Sequence, residues 1–141
     1  MSSSHVNLLP GLDVVEHEGQ VLAVLVRQST RPSETTFPCS PELAMQVGFV
    51  VYPKGGEVAH HRHLPLERHL VGTSEVLVVR EGACEVDIYD HGDTLLRTWA
   101  LAQGDSVLIL GGGHALRMTE DTVIFEVKQG PYTGIGEKER F

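Results

Sequence analysis

The sequence predicts an all-β domain of antiparallel strands, and three observations lead there. Apolar residues recur in short runs, with no sustained period of 3.6 anywhere in the chain, so no amphipathic helix is signalled. Turn residues break the runs at intervals of roughly 8 to 12 residues, the spacing of a sandwich or barrel. At 141 residues the chain suits one domain, which buries about two thirds of its extended surface and so holds a core without staples.

Taken in order, the first pair of strands is a hairpin, Leu12 to Val15 and Val21 to Arg27, turning around Glu16, His17, Glu18 and Gly19. Residues 29–41 (STRPSETTFPCSP) carry three prolines and many hydroxyls and are expected to form an arm or loop. A strand is expected from Met45 to Tyr52, and a turn at Pro53, Lys54, Gly55 and Gly56 leads into another from Glu57 to His63. Residues 64–74 form a loop before a return strand, Glu75 to Arg80, which ends at Glu81 and Gly82. Cys84 to Tyr89 then pairs with Leu95 to Leu101 across Asp90, His91, Gly92 and Asp93. Val107 to Leu110, His114 to Met118 and Val123 to Lys128 complete the set, with a Gly-rich tail after them. The organisation is thus an N-terminal hairpin and arm (1–44), a strand-rich core (45–128) and a C-terminal tail (129–141).

Composition narrows the function classes. Eleven Lys and Arg against 19 Asp and Glu give a net charge of −8, which opposes a nucleic-acid partner, because phosphate binding needs clustered positive charge. The two cysteines, Cys39 and Cys84, make neither a disulfide framework nor a zinc-ribbon spacing and read as reduced thiols. The N-terminal stretch MSSSHVNLLPGLDVV has no basic segment followed by an apolar run, so a cytoplasmic location and no membrane contact are expected.

Histidine is the compositional anomaly. Of eight in the chain, His60, His61, His63 and His69 fall within ten residues. His61 and His63 are two apart, so on an extended strand both leave the same face and could share one metal ion. His60 then points to the other face. A carboxylate comes next, and both Glu67 and Glu75 compete for that role. Glu75 is favoured because a strand holds a ligand more rigidly than a loop, and with it Leu77 and Val79 would line an apolar interior. Glu67 could instead pair with Arg62 or Arg68, or line the mouth with His69. His114, after Gly111, Gly112 and Gly113, is the candidate fourth ligand, the glycines allowing a tight turn that brings it close. Glu126 reads as an outward-facing, ion-paired residue. Trp99 reads as core or dimer interface.

These residues resemble the cupin superfamily. Its first motif, G-x5-H-x-H-x(3,4)-E-x6-G, is met by Gly55, His61 and His63. Its second half is met either by Glu67, counting forward from His63, or by Glu75-x6-Gly82 with an insertion between the two strands. The second motif, G-x5-P-x-G-x2-H-x3-N, is met by Gly104, Gly112 and His114. It departs in having Leu110 for Pro, one residue fewer before the histidine, and Met118 for Asn. The ending FEVKQGPY is similar to small cupins associated with polysaccharide or nucleotide-sugar metabolism.

The resemblance implies a double-stranded β-helix, a jelly-roll barrel of two antiparallel sheets over one site. It also implies one divalent transition metal, zinc, iron, nickel or manganese, on His61, His63, Glu75 and His114. The family hosts many reactions on one scaffold, so three functions are carried forward. One is a metal-dependent enzyme acting on a small polar molecule, a carbohydrate or organic acid, by Lewis-acid or oxygenase chemistry. Another is a metal-free sugar-nucleotide isomerase or epimerase using a histidine base and a tyrosine acid, with Arg62, Arg68, Arg80 and Arg117 available for a diphosphate. The third is a non-catalytic binding module. A homodimer is expected, since a second copy caps an exposed sheet edge, with exchange at the N-terminal hairpin and arm.

Overall fold

The computed structural model describes residues 5–134 and 136–141. The first four residues of the N-terminal stretch and Ile135 of the tail lie outside that range. Among the described residues there are eight strands and no helix: β1 (Leu12–His17), β2 (Gln20–Val26), β3 (Glu75–Glu81), β4 (Ala83–Tyr89), β5 (Leu95–Ala102), β6 (Ser106–Ile109), β7 (Gly113–Met118) and β8 (Val123–Lys128). No helix is long and apolar enough to cross a membrane.

The strands form two antiparallel sheets, β1-β2-β6-β3-β8 and β5-β4-β7. Alternation decides which residues meet between them. On β4, Cys84, Val86 and Ile88 point inward and are buried, and on β3 Leu77 and Val79 do the same. With Trp99, Leu101, Val107 and Ile109 they form one contiguous core between the sheets. The other face of β4 carries Glu85 and Asp87. Arg117 of β7 pairs with Glu85 and lies 3.4 Å from Asp87, which also accepts from Thr98 Oγ1 at 2.7 Å. The three-stranded sheet therefore turns a polar, ion-paired face outward.

The five-stranded sheet is apolar on both faces. Its outer face is covered by the N-terminal residues and the arm, where Val6, Cys39, Leu43, Met45, Val47 and Phe49 pack on Leu12, Val24 and Leu108. Backbone bonds from Asn7 to Pro38 and from Ser40 to His5 hold that cover in place. This is where the strand expected at 45–52 fails. The segment makes one bridge, Thr36 to Phe49, because it lies across the sheet face and not along an edge, so no ladder forms.

The strand expected at 57–63 is also absent. Residues 50–74 hold no strand or bridge, and 52–73 are exposed throughout. Alternation gives such a segment a face, but a strand exists only where a neighbouring edge accepts its N–H and C=O groups. Within this chain the segment has none. Within the chain, the N-terminal hairpin pairs with β6.

Candidate functional site

Two of the candidate ligands, each carried by a different sheet, meet. Glu75 opens β3 of the five-stranded sheet, and His114 is the second residue of β7 in the three-stranded sheet. His114 Nε2 lies 2.7 Å from Glu75 Oε1. Glu75 is buried and shares the inward face of β3 with Leu77 and Val79, as the alternation requires. His114 stands opposite Ile88 in the β4–β7 ladder, so it shares the inward face of buried Ile88. The two side chains thus close on each other across the top of the core.

The glycines before His114 are explained by contact. Gly112 has φ +67°, and a Cβ there would run into the Tyr89 carbonyl oxygen. A Cβ on Gly113 would stand 2.6 Å from the Phe141 ring, which packs edge-on against Tyr89 with ring centroids 5.2 Å apart. The chain can pass this close to β4 only without side chains, and the next residue is then His114.

Charge at the site is set by three groups. The hydrogen bond from His114 holds the Glu75 carboxyl well down, at about 2, against burial, which raises it. Glu126 also bonds to Glu75, and its own carboxyl is pushed up, first by that hydrogen bond and then by burial and the Glu75 charge. The two carboxyls share one hydrogen bond, which lowers Glu75 and raises Glu126. Glu126 was expected to face outward in an ion pair. The β3–β8 register places it opposite Leu77, with Ile124 opposite Val79, so it lies on the inner face. The signal that could have found it is Ile124, two residues earlier, which the core requires inward. Lys128, opposite Glu75, stacks its ammonium 5.1 Å from the Tyr132 ring centroid, which brings a tyrosine to this end of β8.

The other candidates stand apart. His61 and His63 have ring centroids 5.4 Å apart, edge to face, and His61 Nδ1 is 2.9 Å from the Ala59 carbonyl oxygen. Both are exposed, as are Glu67 and His69, which border an open surface depression with Arg68. Among the described residues no three His, Cys, Asp or Glu side chains converge as a metal-binding group. The donor chemistry of the four residues suits a divalent first-row ion, but one chain presents it as two halves, an imidazole pair and a carboxylate–imidazole pair. Of the arginines considered for a diphosphate, Arg117 is engaged by Glu85 and Asp87, and Arg80 lies over the Phe125 ring at 5.0 Å.

Comparison with family models, with curated proteins and with solved structures gives no match. The functional reading therefore rests on the residues and their geometry.

Proposed function

We propose that the chain is a cupin-type double-stranded β-helix whose site takes one divalent transition metal and acts on a small polar molecule. The observation that carries this reading is the contact of Glu75 with His114. The two residues belong to separate motifs, 39 positions apart, and they come together at the open end of an apolar core. His61, His63, Glu75 and His114 would hold the ion. Bound there, it would polarise a carbonyl or hydroxyl oxygen, or engage dioxygen if it is iron. The chain's own residues set the stage for this. Glu75 is held ionised to about 2 and so is ready as a ligand, while Glu126 stands beside it as a second hydrogen-bonding carboxyl.

A second reading is favoured by the same 2.7 Å contact. A carboxylate bonded to one ring nitrogen fixes the tautomer and orientation of an imidazole and leaves the other nitrogen to act as a general base. His114 would then abstract a proton from substrate with no metal, and Tyr132, whose ring faces Lys128, is a candidate acid. The engagement of Arg117 with Glu85 and Asp87 weighs against a nucleotide-sugar substrate for this version.

Thermal unfolding with added zinc, nickel, manganese or ferrous ion separates the two. A ligand that binds only the folded state raises its stability with concentration. The metal reading expects a dose-dependent rise in Tm for the native protein that His114→Ala abolishes. A Tm indifferent to all four ions in the native protein removes it in favour of the dyad.

A further inference from the structure

β7 and β8 are edge strands, one of each sheet, and the chain carries, unpaired, a segment long enough to extend along them. On β7, Leu116 and Met118 share the inward face with buried Val86 and Cys84, yet they remain 36% and 50% exposed. On β8, Phe125 is 48% exposed beyond the reach of the arm that covers the rest of that sheet face. Unpaired edges flanked by exposed apolar side chains are templates for another strand. Residues 57–71, with no strand or bridge of their own, divide into two arms on either side of Pro65, a residue that interrupts pairing. Their apolar side chains are among the most exposed in the molecule, Leu64 at 79% and Val71 at 90%. The first arm, 57–63, spans about 23 Å when extended and matches the six-residue β8. On a strand its His61 and His63 leave one face and would complement the Glu75 and Glu126 carboxyls on the inner face.

We propose that residues 57–71 of each chain cross to a second copy and close its barrel, the first arm pairing along β8 and the second along β7. The segment stands off its own barrel, as an exchanged strand does, and a reciprocal exchange closes both barrels under two-fold symmetry. Each site is then assembled from Glu75 and His114 of one chain and His61 and His63 of the other. This last statement rests on the metal reading above; the exchange itself does not.

Light scattering on the eluting protein tests the exchange. The native protein should have twice the 15.4 kDa chain mass. The variant Leu64→Asp/Leu66→Asp/Val71→Asp should run at the single-chain mass with an unchanged β circular-dichroism spectrum, because these side chains are exposed in the single chain. A native protein at single-chain mass, or a variant that stays dimeric, overturns the exchange. The shared site is tested by chain mixing. A heterodimer of His61→Ala/His63→Ala with Glu75→Gln/His114→Gln, isolated through two different peptide tags, has one intact site only if the ligands come from both chains. It should bind about one metal ion while neither parent homodimer binds any; a metal-free heterodimer beside a metal-loaded native dimer overturns the shared site. Failure of the metal reading alone shows separately, as a native protein that is dimeric through this segment yet takes no metal.

Discussion

Asp105 shows how much one buried carboxylate organises. Its side chain accepts from the backbone N–H groups of Gln28 and Ala102, at 2.8 and 2.9 Å, and from Arg27 Nη1 at 3.0 Å, whose guanidinium also donates to the Ala100 carbonyl oxygen. One residue thereby ties the end of β2 to the end of β5 and to the turn before β6. Burial raises its carboxyl, but the two backbone bonds and Arg27 outweigh burial and hold it below the ordinary aspartate range. The folded state thus binds the proton less tightly than the unfolded chain. The stability Asp105 contributes is complete above the unfolded aspartate pKa, about 3.9, and is lost as pH falls through the depressed folded value. Asp105→Asn should cost about 1.5 to 3 kcal/mol at neutral pH, the worth of bonds to a charged acceptor. It should also flatten the acid limb of the stability curve. Urea unfolding of both proteins between pH 3 and 7 measures this, and parallel curves across that range would contradict it.

At the scale of elements, the turn into β7 is the most constrained. Gly112→Ala places a methyl against the Tyr89 carbonyl oxygen at a φ that side chains avoid. A cost of about 1 to 3 kcal/mol is expected, together with displacement of His114 from Glu75. Chemical denaturation measures the first, and loss of the Glu75-dependent shift in the His114 ring NMR signals measures the second. A stability loss with that shift intact would mean that the glycine serves the turn alone. All eight strands are recognisable in the sequence within a residue or two of their ends, because a core-facing strand writes its alternation directly: Leu77 and Val79, or Cys84, Val86 and Ile88. The short β6 reads from its apolar run. The segments that failed, 45–52 and 57–63, are apolar or alternating as well, but alternation records which face is buried and not whether an edge is present to pair with. In residues 45–52, Met45, Val47 and Phe49 pack against a sheet face while Val50 and Tyr52 stay exposed, and residues 57–63 meet no edge in their own chain. Glu126 was misread for a related reason: its charge suggested solvent, whereas parity with Ile124 turns it inward.

For the whole molecule, the sequence reading and the structure agree on an all-β chain of two antiparallel sheets and on an inward Glu75. They also agree that residues around the second motif stand near it. What the sequence alone could not supply is the distance between the two halves of the donor set. That distance depends on tertiary placement of a segment whose own residues make almost no contacts. The acidic net charge of −8 suits a site that attracts a cation, since the summed field of the chain favours positive ions near the surface. The imidazole pair on residues 57–71 and the carboxylate–imidazole pair between the sheets would be weak alone; joined as proposed, they would make a four-donor set of the kind that accepts most first-row divalent ions.

The most direct measurement is elemental analysis of protein purified without a polyhistidine tag or chelators, expressed as metal per chain. About one equivalent of zinc, iron, nickel or manganese is expected in the native protein, falling to background in Glu75→Gln and in His61→Ala. Metal far below one equivalent in the native protein, and not restored on adding ions, would contradict the metal site and leave the Glu75–His114 dyad to carry the chemistry.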